Sequence, residues 1–309
     1  MRDSNDHERR VNGVTVDELP LENEPGKGQG EETQEGKGPF GGSSRVNRVI
    51  FGAAYAIVNV ACLFFGPIPT CVLIMVMSVL CCLEFLRMAQ MRGRNPNAII
   101  ALCAAALYPL SALKTSMAYN VAVTFALFIG LGVWYVRTPR ANISDVATTA
   151  FGPLYTGFMF TSIVLIRRVD AGLDGFLLAF AVMGSIWLSD AFAYAFGIRF
   201  GRHKMAPKIS PKKSWEGFAA GVVGSALAWL ILAIVGTRGI SVPFALCTSV
   251  VVNVSGVFGD LFESRIKRGA GIKDSGNLIP GHGGMLDRSD SLLFGSVAAY
   301  IILQLGGII

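Results

Sequence analysis

Charge is scarce in this sequence of 309 residues. Asp, Glu, Lys and Arg make up 16% of it, against about 25% in an ordinary soluble domain, while 52% of the residues are hydrophobic. That balance argues against a cytosolic enzyme and against a wholly disordered chain. Gly is plentiful at 36 residues but has no Gly-X-Y period, which excludes collagen. The six Cys, at 62, 71, 81, 82, 103 and 247, all lie inside apolar runs, and none has metal-ligand spacing. They read as small buried apolar residues, with no disulfide framework. No internal repeat of the kind found in many transporters is present. No signal peptide is expected, because some forty polar residues precede the first apolar run.

The charge that is present is unevenly placed. Residues 1–43 hold ten acidic and five basic residues and almost no apolar periodicity, so they are expected to form a disordered acidic tail. The remainder carries 22 basic and 11 acidic residues. From Val49 onward it consists of apolar runs near 49–65, 68–86, 97–113, 117–136, 149–166, 173–197, 215–236, 240–262 and 287–308. A bilayer core about 30 Å thick takes about 20 residues of helix. The expected fold is therefore all-α: a polytopic integral membrane protein of about nine transmembrane helices, with eight or ten left open, behind the tail. Its parts are the tail (1–43), N-terminal helices (44–172) and a C-terminal catalytic region (173–309). With these helices, 18 Lys and Arg residues fall on one side of the membrane and four (Lys114, Arg167, Arg168, Arg238) on the other. The positive-inside rule then places the N-terminus in the cytoplasm and the C-terminus outside. It also accounts for the basic charge without nucleic acid as a partner.

Within the first five expected helices Glu84 is the one carboxylate. The C-terminal half holds Asp190, Glu216, Asp260, Glu263, Asp274, Asp287 and Asp290. Carboxylates at membrane depth are costly and point to function. Asp190 lies about 10 Å inside the cytoplasmic end of its helix at 1.5 Å per residue. The loop after it carries six basic residues between 199 and 213 and ends in Ser210-Pro-Lys-Lys-Ser-Trp-Glu-Gly217. There Ser214 suits an N-cap, with Glu216 in the first helical turn. Further on, Asp260 and Glu263 are three apart at the end of one expected helix, and Asp287 and Asp290 three apart at the start of the next, so each pair should share a face. Both pairs would lie at one membrane surface. Such oxygen-rich sites suit Mg²⁺ with substrate phosphates and water. Arg265, Lys267, Arg268 and Lys273 between the pairs suit phosphate charge, and Gly281-His-Gly-Gly284 precedes a helix start, where backbone N–H groups can face an anion. The residues thus point to metal-dependent phosphate transfer at the cytoplasmic bilayer surface.

Ser264, Lys267, Arg268, Lys273, Asp274, Gly276, Pro280, His282, Gly283, Gly284, Asp287, Arg288 and Asp290, at these spacings, resemble the signature of the CDP-diacylglycerol synthase (phosphatidate cytidylyltransferase) family. Ser289 stands where that pattern usually has Thr or an apolar residue. Ser210-Pro-Lys-Lys-Ser-Trp-Glu-Gly217 and Gly259-Asp-Leu-Phe-Glu-Ser264 are similar to the family as well. The resemblance covers about 190 to 309; the earlier helices match only in character. It implies transfer of cytidylyl from CTP to phosphatidate held in the bilayer, with Mg²⁺ and room for a second cation such as K⁺. It implies Asp260, Asp287 and Glu263 as metal ligands. Lys267, Arg268, Lys273, Asp274, His282, Arg288 and Asp290 would be the catalytic set. Ser210, Lys212, Lys213, Ser264, Gly283 and Gly284 would bind substrate. The implied location is the bacterial cytoplasmic membrane, with the site at the cytoplasmic face; a homodimer is left open. A CTP-dependent lipid kinase would use similar groups, and a cation transporter would also carry intramembrane acids. A CDP-alcohol phosphotransferase is disfavoured by the absence of an Asp-Gly-x-x-Ala-Arg type motif.

Overall fold

The computed structural model describes residues 44–114, 116–276 and 283–309. The expected disordered tail and His282 lie outside the described residues. The fold is a bundle of long apolar helices: α1 (Ser44–Phe65), α2 (Pro67–Gln90), α3 (Ala98–Ser111), α4 (Ala118–Arg137), α5 (Ile143–Pro153), α6 (Met159–Arg167), α7 (Leu173–Phe200), α8 (Trp215–Val235), α9 (Val242–Ala270) and α10 (Asp290–Leu305). A π turn, Leu154–Phe158, joins α5 to α6 in one rod, just past Pro153, which has no N–H to give the ladder. Six segments, including the α5–α6 rod, are long and apolar enough to cross a membrane, and three shorter apolar helices accompany them. The outer faces are apolar: on α4, Phe125, Phe128, Ile129 and Val136 are exposed, as expected for a surface whose solvent is lipid.

Each apolar run of the sequence corresponds to one rod, but three boundaries move. The fifth run begins at Ile143 rather than 149, because Asn142 and Asp145 form a reciprocal capping box. Asp145 is consequently a second carboxylate inside the first five helices. It is buried and also accepts from the backbone N of Asn95 at 2.7 Å. The eighth run continues to Ala270 instead of ending at 262, carrying Glu263, Ser264, Lys267 and Arg268 on helix. The last helix starts at Asp290 rather than 287. Leu286–Arg288 form a 3₁₀ turn, so Asp287 and Asp290 do not share a face of α10 as expected. Among the described residues the helices are joined by one small antiparallel hairpin, in the basic loop: β1 (Lys204–Ala206) pairs with β2 (Ser210–Ser214).

The core runs through the middle of the bundle, with Leu63, Ile74, Met77, Phe160, Leu178 and Met183 buried together. Arg167 is fully buried at the end of α6. It donates to the carbonyls of Leu63 and Asp170, each at 2.7 Å, which ties α6 to α1. The pair α7–α8 packs very closely: a Cβ on Gly224 would come within 2.6 Å of the Leu188 carbonyl oxygen. The hairpin between these two helices reaches α9 through Lys213, which meets Asp260.

Candidate active site

Ser214 caps α8, its Oγ accepting from the Gly217 N–H at 3.2 Å. Glu216, in the first turn, accepts from the His203 backbone N–H at 3.2 Å and meets His203 Nδ1 at 2.6 Å. It thereby pins the hairpin to the helix, which accounts for Glu216 structurally. The hairpin then extends Lys213 towards α9, where Nζ lies 2.6 Å from Asp260 Oδ2. Asp260 Oδ1 accepts from Ser264 Oγ at 3.2 Å.

A second centre lies further along α9. Lys267 Nζ bridges two carboxylates, Glu263 Oε2 at 2.5 Å and Asp287 Oδ1 at 2.6 Å. Asp287 Oδ2 accepts two backbone N–H groups, from Ser275 at 2.9 Å and Gly284 at 3.0 Å. Burial pushes the Asp287 carboxyl up, but Lys267 and these two N–H groups outweigh it and hold the acid below its ordinary value. Of the Gly281–Gly284 backbone N–H groups expected to face an external anion, that of Gly284 faces a carboxylate of the chain itself. Lys267, expected to meet phosphate, is 9% exposed and committed to two acids. Glu263 is fully buried, so it does not present the same surface as Asp260 although the two are three residues apart.

Two cavities adjoin these centres. The first, of 330 Å³, lies between α7, the hairpin, α8 and α9, and Asp190, Tyr194, Lys212, Lys213, Phe218 and Asp260 line it. The second, of 290 Å³, lies against α1 and α7, and Tyr55, Trp187, Asp190, Asp287, Arg288 and Asp290 line it. Asp190 borders both, so the intramembrane acid singled out in the sequence stands between the Asp260 and Asp287 centres. Asp290 Oδ1 accepts its neighbour Ser291's N–H at 2.7 Å.

The remaining candidates are spread around this pair of cavities. Ser210 starts β2, paired with Ala206 rather than lining the first cavity. Arg268 is exposed and donates to the Ile272 carbonyl at 3.2 Å, closing the end of α9. Lys273 and Asp274 are exposed in the loop that follows. Gly283 has a φ of 85°, open to Gly at no steric cost, and a Cβ there would sit 3.0 Å from Asp287 Oδ2.

The profile of the Cytidylyltransferase family matches residues 46–306. The chain belongs to this family. It is 31% identical over 263 residues to a phosphatidate cytidylyltransferase of Bacillus subtilis, covering 84% of this chain and 97% of that one. A phosphatidate cytidylyltransferase of Mycobacterium tuberculosis is 39% identical over 175 residues, 54% of this chain and 50% of its own length. Phosphatidate cytidylyltransferase 5, chloroplastic, of Arabidopsis thaliana is 36% identical over 217 residues, 61% of this chain and 52% of its own.

For a member of the cytidylyltransferase family, the donor chemistry of the two centres is that of a hard cation. Every charged acceptor is a carboxylate oxygen. An ionised carboxylate offers about four lone-pair sites. Two on Asp260 and three on Asp287 are taken by the contacts above, and Glu263 Oε1 is buried without a hydrogen-bond partner among the described residues. Among the described residues no three His, Cys, Asp or Glu side chains gather closely enough to hold an ion alone. The free lone pairs on these carboxylates are hard oxygen donors, the kind that Mg²⁺ takes alongside water and substrate phosphate.

Proposed function

We propose that this protein transfers the cytidylyl group of CTP to phosphatidate, forming CDP-diacylglycerol and pyrophosphate. The observation that carries the reading is the near full-length similarity to a phosphatidate cytidylyltransferase, joined to a site in which basic side chains and carboxylates line two cavities. A phosphatidate oxygen would attack the α-phosphorus of CTP in line with the departing pyrophosphate. Two anions must meet, so the barrier is electrostatic and positional. Lys212 and Arg288, each on a cavity wall, screen phosphate charge. Lys213 and Lys267 hold Asp260 and Asp287 in place. Asp260 and Asp287, with Glu263, would hold Mg²⁺, which supplies neutralisation of the triphosphate and of the leaving pyrophosphate; K⁺ is the candidate for a second ion. The test is direct: detergent-solubilised protein given CTP, phosphatidate and Mg²⁺ forms CDP-diacylglycerol and pyrophosphate in equal amounts. Absence of lipid-linked cytidine with folded protein contradicts the reading.

We also assign nine membrane crossings, with both cavities at the cytoplasmic face of a bacterial cytoplasmic membrane. The 18-to-4 Lys and Arg asymmetry and the three shorter apolar helices beside the six long spans support this. In a background lacking the native Cys, single cysteines replacing Lys208 and Lys273, both exposed, should react with an impermeant maleimide only from the cytoplasm. One replacing Arg238 should react only from outside. Labelling of the 208 and 238 positions from the same side would contradict the topology.

A further inference from the structure

Glu84 is a carboxylate placed where a membrane helix has no need of one. It sits on α2, six residues before the helix ends, and is 2% exposed. Burying an ionised acid is costly unless donors surround it. Its donors here come from a single remote loop. Glu84 Oε2 accepts from Ser275 Oγ at 2.9 Å and from the Leu286 N–H at 2.8 Å, and Oε1 accepts from the Met285 N–H at 2.9 Å. These partners are 191 to 202 residues away in sequence.

The same loop holds Asp287. Ser275 is gripped twice, its side chain by Glu84 and its N–H by Asp287 Oδ2. Met285 and Leu286 lead directly into the 3₁₀ turn that carries Asp287 and Arg288. Glu84 and Asp287 thus both hold the loop, and of the two only Asp287 lines the second cavity. The fit leaves no space at Gly284, where a Cβ would collide with both Ser275 Oγ and Glu84 Oε2. The second glycine of the His-Gly-Gly run is therefore demanded by Glu84, a residue on another helix.

We propose that Glu84 is a positioning residue for the reaction: its carboxylate holds Ser275, Met285 and Leu286 and so places Asp287 and Arg288 against the second cavity. Its role in turnover rests on the cytidylyl-transfer reading; its grip on the loop does not. Groups that orient a metal ligand from behind change metal affinity by about 10–100-fold when removed, and misplacement of a reacting group by 1 Å can cost about 10²-fold in rate.

The experiment compares wild type with Glu84→Gln, Glu84→Leu and Ser275→Ala, in detergent, by hydrogen exchange and by assay with CTP and phosphatidate across a Mg²⁺ titration. In Glu84→Leu, exchange should rise in peptides spanning 283–289 and stay at the wild-type level in α7 and α8. The Mg²⁺ concentration for half-maximal activity should rise at least about 10-fold. A smaller folded fraction lowers the maximal rate but does not move that midpoint. Glu84→Gln, which keeps one acceptor oxygen, and Ser275→Ala, which removes one bond of three, should shift both readouts the same way by less. If Glu84→Leu does not fold, these two milder variants decide by the same criteria. Wild-type exchange over 283–289 in the variants would overturn the proposal, as would faster exchange with an unmoved Mg²⁺ midpoint. Wild type forming no CDP-diacylglycerol would instead sink the functional reading and with it the role in turnover, while the exchange data still decide whether Glu84 holds the loop.

Discussion

Asp287→Asn should lower turnover by at least about 10²–10³-fold while leaving a folded protein. Removing a single charge-stabilising group from an active site costs about that much, and Asp287 does more than one thing. Its Oδ1 meets Lys267 at 2.6 Å and its Oδ2 accepts two backbone N–H groups. An Asn has one acceptor oxygen and one NH₂. Whichever way the amide turns, a donor faces a donor, either Lys267 or the two N–H groups. The variant therefore loses both the negative charge proposed to hold Mg²⁺ and the fit of the loop. The check is steady-state turnover beside a thermal melt in detergent. Near-normal turnover would reduce Asp287 to a loop-closing acid. The same contacts fix the sign of its pH behaviour. Its pKa is depressed in the fold, so its stabilising contribution is complete above its unfolded value, about 3.9, and is lost as the pH falls through the lower folded value. Any loss of activity between pH 5 and 7 should survive unchanged at Asp287 and originate in another group.

Lys267→Met should be the most destabilising single change in the C-terminal half. Met matches the length of the lysine stem but leaves Glu263, fully buried, and Asp287 facing each other without a cation. Breaking a buried ion pair from one side costs about 3–5 kcal/mol, because the remaining charge is stranded. Removing that charge as well, in Lys267→Met with Glu263→Gln, should recover a large part of the loss. A melting temperature for Lys267→Met equal to wild type would show that the bridge contributes nothing. A double variant no better than the single would place the damage at Asp287 instead of Glu263.

The helices were legible in the sequence because a bilayer demands long apolar runs, and among the described residues each run became a rod, six of them long enough to cross a membrane and three shorter. Their ends were legible only in part. Asn142-x-x-Asp145 is a readable capping signal, yet the polar residues around it drew the expected start inward to 149. The last turns of α9 were read as loop because Arg265, Lys267 and Arg268 are charged; the helix continues beyond its apolar part and pairs Glu263 with Lys267 one turn apart. The acids and bases of the site were visible as residue types. Their pairing was not, since Lys213 with Asp260 and Lys267 with Asp287 depend on how the hairpin and the 3₁₀ turn fold back on α9. Glu84 stood out as an isolated carboxylate, but a hydrogen bond to Leu286, 202 residues later, has no periodicity to betray it.

The most direct test of the account is which phosphorus of CTP reaches the lipid. A cytidylyltransferase and a CTP-dependent lipid kinase could share the carboxylates, the lysines and the ion, and differ only in the bond broken. Purified protein is incubated with phosphatidate, Mg²⁺ and CTP labelled at either the α or the γ position. Cytidylyl transfer predicts that α label enters the lipid phase and γ label is recovered in pyrophosphate. Entry of γ label into lipid, with α label retained in soluble CDP, would contradict it.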